Sequence, residues 1–235
     1  MQRYFVEVNG NNVIFNEEDV HHITHVMRMR VGDRFDVVNI GHLYNVEITS
    51  LSPLKVKIVE EKQENSELDK YVVLFFALAK GDKMDLVIQK ATELGAHQII
   101  LFKSKRCVVN FDQKDLAKKM ERYQRIAKEA SEQCHRIFIP TVIGNVELKQ
   151  CIGHMGDVNF LAYEKEAGST AHSFELPKEY KSVSVMIGPE GGFDEEEVDF
   201  LVKQGFQTVS LGRRILRCET AAIYALSVLA HKIEQ

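Results

Sequence analysis

The chain has 235 residues, 45% hydrophobic and 27% charged, with four prolines and no tryptophan. That length allows one large domain or two modest ones, and the composition excludes a disordered or collagen-like chain. Its net charge of −4 divides unevenly: −5 over residues 1–69, +6 over 70–136 and −5 over 137–235. Phosphate backbones respond to local potential rather than to the whole-chain total, so the basic middle third keeps a nucleic-acid partner open. The longest purely apolar run, Val72 to Ala79, is far short of the ~20 residues of a membrane helix. Met1 to Phe5 has no basic flank leading into a long apolar stretch, so no secretory signal is expected. Cys107, Cys134, Cys151 and Cys218 are widely spaced without a C-x-x-C pair. They read as reduced thiols of a cytoplasmic protein, not as a disulfide frame or a metal site.

In chain order, residues 3–8, 13–15, 34–38, 43–48 and 54–59 are short β-prone runs divided by Asn-Gly, Gly-Asp, Ile-Gly-His and Ser-Pro turn signals. One helix interrupts them from Asn16 to about Met29, with Asn16 as N-cap and Glu17, Glu18 and Asp19 complementing the positive helix end. This pattern predicts a small β-barrel over residues 1–69. The polar stretch Glu60 to Glu67 has no apolar periodicity and reads as a linker.

From residue 70 the rhythm changes. Val72 to Ala77 is a continuous apolar strand of the kind buried on both faces. A helix over Asp82 to Leu94 follows, with Gly95 just past its end, and then the strand Gln98 to Phe102. A long basic helix spans Asp115 to Gln133. Later come strands at 160–163, 183–187 and 208–211, a helix over 195–204 and a last helix from about Thr220. Strands alternating with helices over 70–235 predict a parallel α/β sheet covered on both faces. Residues 164–182 read as a surface loop.

Chemistry concentrates in two segments. In Ile187-Gly188-Pro189-Glu190-Gly191-Gly192-Phe193-Asp194 a buried strand ends in a glycine-rich bend, where parallel sheets place ligands. Asp194 and Glu197 form a capping box for the next helix, and Phe193 can staple onto Val198. Glu190, Asp194, Glu195, Glu196 and Glu197 crowd the entrance, so a phosphate there would be repelled. The nucleotide fingerprints are absent too. A ligand with a positive centre and a neutral heterocycle fits better; S-adenosylmethionine is one such ligand, though the sign of the charge does not single it out. In the second segment, Leu211-Gly212-Arg213-Arg214-Ile215-Leu216-Arg217-Cys218-Glu219-Thr220, another strand ends in a glycine followed by three arginines. These arginines suit phosphates or base carbonyls, or equally a structural pairing with nearby glutamates. Residues 221–230 are too apolar for an exposed side, which implies burial in the core or in a subunit interface.

Gly188-Pro189-Glu190-Gly191-Gly192-Phe193, followed by Leu211-Gly212-x-x-Ile215-Leu216-Arg217-x-Glu219-Thr220-Ala221-Ala222, resembles the RsmE family of 16S ribosomal RNA uridine N3-methyltransferases, of the SPOUT class. Lys80 to Asp85, Gln89 to Gly95, Arg122 to Cys134 and His21 to Asp33 agree with it, so the resemblance runs from residue 3 to about 230. Met27 and Cys134 are mild departures from the family pattern.

The resemblance implies a PUA-like RNA-binding β-barrel over 1–69 and a trefoil-knotted, dimerising methyltransferase domain over 70–235. It implies S-adenosylmethionine-dependent methylation of N3 of a specific uridine in the decoding region of 16S rRNA, within the small ribosomal subunit, by a cytoplasmic homodimer. The donor would be held by Leu161, Ala162, Tyr163 and Glu164; by Gly188, Pro189, Glu190, Gly191 and Gly192; and by Leu211, Gly212, Ile215 and Leu216. Arg217 would orient the base and Glu219 is the candidate proton acceptor, unless it merely pairs with Arg217. Arg3, His25, Arg28 and Arg30 are the RNA contacts expected on the barrel. Another SPOUT RNA methyltransferase, or an inactive RNA-binding ribosome assembly factor, are the competing readings.

Overall fold

The computed structural model describes residues 2–109, 111, 113–163 and 174–235. The chain divides into two compact units: Met1–Glu67 with Ser131–Phe138, and Leu68–Ala130 with Ile139–Gln235. Sequence patterning alone places residues 131–138 in the second unit; the fold returns them to the first.

The first unit holds β1 (Arg3–Phe5), β2 (Glu7–Asn9), β3 (Asn12–Ile14), α1 (Glu17–His21), β4 (Arg34–Asn39), β5 (His42–Leu51) and β6 (Leu54–Lys62). The main sheet runs β1-β4-β5-β6, parallel between β1 and β4 and antiparallel elsewhere; β2 and β3 form a hairpin, and β3 packs against β6. Alternation places Phe35, Val37, Val46 and Ile48 on one face, closed by Tyr4 and Ile23. The opposite face carries a polar cluster set by strand register. Asp36 lies between Arg3 and Asn45, accepts a 3.0 Å hydrogen bond from the Asn45 amide, and pairs with Lys62 at 3.0 Å.

Asn16 caps α1 as expected, accepting from the Asp19 N–H at 2.7 Å. The α-helical form ends at His21, however, and the chain continues as a π-helical turn over His22–Val26. The Thr24 hydroxyl donates to the Val20 carbonyl at 2.7 Å, competing for the acceptor that an α-helical Thr24 N–H would use. The expected linker is also revised. β6 continues to Lys62, and Glu67 is one of the most enclosed carboxylates of the unit. It pairs with Arg136 at 2.6 Å, with side-chain exposures of 5% and 3%, and accepts from the N–H groups of Ile137 and Phe138. A lone buried carboxylate leaves no periodic trace in a polar stretch.

The second unit holds β7 (Tyr71–Ala77), α2 (Lys83–Glu93), β8 (Gln98–Lys103), α3 (Gln113–Gln133, whose last residues belong to the first unit), β9 (Thr141–Glu147), β10 (Val158–Ala162), β11 (Ser182–Ile187), α4 (Glu195–Lys203), β12 (Gln207–Val209) and α5 (Cys218–Ile233). Its six strands are all parallel, in the order β12-β10-β11-β7-β8-β9. Burial on both faces explains the unbroken apolar run of β7. Val72, Leu74 and Phe76 enter the core beneath α2, α3 and α5, while Val73, Phe75 and Ala77 enter the core beneath α4. α5 lies over β7 and β11 beside α2, burying Ala222, Ala225, Leu226 and Leu229.

Edge strand β9 escaped the sequence reading because Gly144 and Asn145, the latter with φ of 61°, interrupt its apolar alternation where the register with β8 shifts. Of the expected surface loop at 164–182, residues 164–173 lie outside the described residues. Phe174 is buried edge-on to Phe160, with ring centroids 5.0 Å apart.

Candidate active site

Three neighbouring strands, β12, β10 and β11, end side by side, and a cleft of about 590 Å3 opens beyond their carboxyl ends. This is where open parallel sheets place ligands, and the volume suits a cofactor-sized molecule. Ala162 ends β10 and Tyr163 follows it, Ile187 ends β11 and residues 188–193 follow it, and residues 210–217 run from β12 to Cys218 at the start of α5; all line the cleft, with Lys83 and Ala221 completing it.

Glycine is required at two points of this wall. A side chain at Gly188 would place its Cβ 2.7 Å from the Phe193 ring, and Gly212 has φ of 107°. The bend is closed by the Gly192 N–H donating to the Pro189 carbonyl at 2.9 Å. Phe193 is buried, stacks on Phe102 at 6.3 Å and joins Val198 in the core, as the staple predicts. The capping box is also formed: Glu197 accepts from the Asp194 N–H at 3.0 Å, and Asp194 accepts from the Glu196 N–H at 3.2 Å.

The acidic crowding at this helix entrance is neutralised within the unit, which corrects the sign argument made from sequence. Glu197 turns inward, accepting from the Ser104 hydroxyl at 2.9 Å and the Lys105 N–H at 2.8 Å. Lys105 pairs with Asp194 at 3.3 Å and with Glu196; Arg106 pairs with Asp194 at 3.4 Å and donates to the Gly191 carbonyl at 3.2 Å. The Lys105 ammonium, helped by the Glu196 N–H, holds the Asp194 carboxyl below the usual carboxylate range. Glu190 pairs with Lys83 at 2.6 Å. The charged groups lining the cleft are therefore Lys83, Arg213, Arg214 and Arg217 against Glu190. Arg213, Arg214 and Arg217 are exposed, and their guanidinium groups make no hydrogen bond or ion pair among the described residues. Their positive rim suits a polyanion approaching a glycine-lined pocket.

Residues 64–230 match the family model described as the RNA methyltransferase domain, and residues 15–61 match the RNA methyltransferase PUA domain. The ribosomal RNA small subunit methyltransferase E of Bacillus subtilis (strain 168) is 41% identical to this chain, with 100% of this chain and 98% of the relative covered. The chain belongs to the ribosomal RNA small subunit methyltransferase E family. The Mesomycoplasma hyopneumoniae member is 34% identical over 97% of this chain and 98% of its own length. Among solved structures, the Neisseria gonorrhoeae member bound to S-adenosyl methionine superposes with a TM-score of 0.88 at 26% identity, covering 99% of this chain and 98% of that one. A Legionella pneumophila protein in complex with the bound cofactor SAM superposes with a TM-score of 0.87 at 31% identity, covering 98% and 97%.

As a methyltransferase E chain, it brings together most of the donor residues expected from sequence: Ala162, Tyr163, Gly188, Pro189, Glu190, Gly191, Gly192, Leu211, Gly212, Ile215 and Leu216 all line the cleft, as does Arg217. Leu161 does not. It is fully buried under α4, because alternation along β10 turns it into the core. Glu164 lies outside the described residues. Glu219 is absent from the lining and pairs with Lys83 at 3.5 Å, not with Arg217. Burial works against its charge, but its own N–H, the Cys218 thiol and Lys83 hold its carboxyl below the usual range. Cys218, buried and beside that carboxylate, is pushed up to about 11.

Arg3 is a further correction to the expected RNA contacts. At 3% exposure it is enclosed in the first unit, donating to the His135 and Arg136 carbonyls and lying 3.8 Å from Asp36. His25, Arg28 and Arg30 are exposed, and His25 stacks on His21 with centroids 4.8 Å apart. Sequence reasoning assigned no role to Lys83 or Ser104, and expected of Lys105 and Arg106 only a less specific attraction for RNA, whereas the fold engages both at the α4 entrance. The signal for the last two was available: five acidic residues at one helix entrance require nearby cations.

Proposed function

We propose that this chain transfers the methyl group of S-adenosylmethionine to N3 of a uridine in the decoding region of 16S rRNA, acting in the cytoplasm as a homodimer on the small ribosomal subunit. The observation that carries this reading is the cleft: three loops at neighbouring strand ends, two of them shaped by glycine, with three arginines whose guanidinium groups are unpaired among the described residues. The residues present fit the donor. Ile187, Leu211, Leu216 and Ala162 offer apolar walls, and the 188–192 bend brings backbone to the cleft. When bound, the donor supplies an electrophilic methyl group. The strand order supports the family's knotted path, since β12 returns on the far side of β10 before the 210–217 loop leads into α5. Exposed Tyr224 on α5 and Ile215, 90% exposed, support a dimer contact.

Methyl transfer needs alignment of nucleophile and methyl carbon, and orientation is worth up to ~7–11 kcal/mol. Uracil N3 carries an imide proton, so cations near its carbonyl oxygens must favour the anion. Arg217, whose guanidinium has no partner among the described residues, orients the base by a charge-assisted contact; Arg213 and Arg214 hold flanking phosphates. Glu219 lies outside the cleft lining and is engaged by Lys83, so it is not placed to reach the base, and the imide proton passes to water in the open cleft. In the first unit His25, Arg28 and Arg30 engage structured RNA through phosphate and shape.

Nucleoside mass spectrometry of small-subunit RNA, treated and untreated with purified protein and donor, tests this reading. The expected product is 3-methyluridine at a single site. A methylated ribose or cytosine would identify another RNA methyltransferase, and an unmodified RNA would favour a binding factor.

A further inference from the structure

Lys83 opens α2 and lines the cleft, yet its ammonium is engaged on two sides. It donates to Glu190 Oε1 at 2.6 Å and stands 3.5 Å from Glu219 Oε2. Glu190 belongs to the glycine bend after β11; Glu219 lies in the first turn of α5, behind the cleft wall, where the Cys218 Sγ–H donates to its Oε2 at 3.3 Å. The loop between β12 and α5, carrying Leu211 to Arg217, ends at that helical turn. No hydrogen bond among the described residues joins the 188–192 bend directly to the 210–217 loop. Among the described residues, the polar link between the bend and the first turn of α5 runs through one lysine.

We propose that Lys83 is a positioning residue, a strut tying the Glu190 bend to the Glu219 turn so that two walls of the donor cleft are held at a fixed separation. The inference rests on the methyltransferase reading of the cleft and adds a coupling between its walls. Lysine suits the task because one ammonium offers three donors to separate carboxylates. Its consequence is unusual for a carboxylate behind the wall: Glu219, which does not line the cleft, influences donor affinity, and does so only while Lys83 is present. A spacing role also acts alike on any ligand that fills the cleft, whereas a role through the lysine's charge distinguishes cationic from neutral ligands.

Calorimetric titration of the full chain with S-adenosylmethionine, and separately with the neutral thioether S-adenosylhomocysteine, tests the strut. Wild type, Glu219→Gln, Lys83→Met, the double variant and Lys83→Arg are compared. Glu219→Gln is expected to weaken both ligands about fivefold, by comparable factors, and to change affinity by less than twofold when Lys83 is already methionine. Lys83→Met is expected to weaken both by about tenfold, and Lys83→Arg to restore most of that loss. Unchanged affinity in Glu219→Gln, an undiminished Glu219 effect without Lys83, or a loss confined to the cationic ligand would each overturn the strut while leaving the methyltransferase reading intact. A wild-type chain that takes up neither ligand would overturn that reading and the inference resting on it.

Discussion

Two sets of arginines, one in each unit, serve opposite purposes. In the first, Arg3 and Arg136 are enclosed, one against Asp36 and two carbonyls, the other against Glu67. In the second, Arg213, Arg214 and Arg217 stand exposed around a cleft without a partner among the described residues. An enclosed guanidinium held by carboxylates and carbonyls is part of the architecture, and removing its counter-charge leaves it in a poor solvent. An exposed, unpaired one contributes little to folding and is available to an incoming anion. The comparison therefore predicts that stability and function separate along the same residue type.

The largest effect should come from the enclosed pair. Glu67→Ala removes the carboxylate paired with buried Arg136, and urea unfolding should show a loss of about 3–5 kcal/mol. Arg213→Ala and Arg214→Ala, measured alongside, should stay within about 0.5 kcal/mol of wild type. Equal losses in both sets would erase the contrast. Arg217 sharpens it from the functional side. Arg217→Ala should reduce kcat/KM for RNA by ~10²–10³, the size seen when one donor to a developing anion is removed, with donor affinity within about twofold of wild type. A drop in donor affinity instead would make Arg217 part of the donor pocket.

The same contrast explains what could be read in advance. Parallel strands buried on both faces announce themselves as apolar runs, and Val72 to Ala77 was legible for that reason. The 187–197 bend was legible because cap and staple chemistry is local, carried by Asp194, Glu197, Phe193 and Val198 within twelve residues. Partners distant in sequence were not. Arg3 and Arg28 look alike in the chain, and only the return of residues 131–138 to the first unit encloses the former. The acidic entrance before α4 looked like an unbalanced negative field because its cations arrive from elsewhere in the chain, Lys83 from the start of α2 and Lys105 and Arg106 from the loop after β8. Leu161 failed for a simpler reason. Adjacent residues of a strand point to opposite faces, so a motif naming both Leu161 and Ala162 has only one of them on the cleft.

Two smaller effects test the exposed groups. Reversing Arg28 and Arg30 to glutamate should weaken RNA binding and flatten the plot of log affinity against log salt, by ~0.7 for each phosphate no longer neutralised, while donor binding is unchanged. An unaltered salt slope would remove this surface from the RNA path. Glu219→Gln, assayed at saturating donor, should keep kcat within about threefold of wild type, the loss appearing in the donor KM, because the carboxylate acts through Lys83 and not on the base. A hundredfold fall in kcat at saturating donor would restore Glu219 as the proton acceptor.

The smallest effect concerns the cations that neutralise the α4 entrance. Lys105 is the main reason the Asp194 carboxyl lies below its ordinary 3.8. A carboxylate depressed in the folded state contributes stability above its unfolded value, and that contribution disappears as pH falls through the folded one. Lys105→Met should therefore be less stable than wild type at neutral pH, the two converging in acid once Asp194 is protonated in both. Since the pair is half-exposed, 1 M salt, with a screening length of roughly 3 Å, should shrink the neutral-pH gap as well. The Lys105 N–H to Glu197 survives the substitution, so a gap that persists in acid and in salt would have to come from the lysine's aliphatic stem. The entrance would then be held by packing, and its charges would be free to act on whatever enters the cleft.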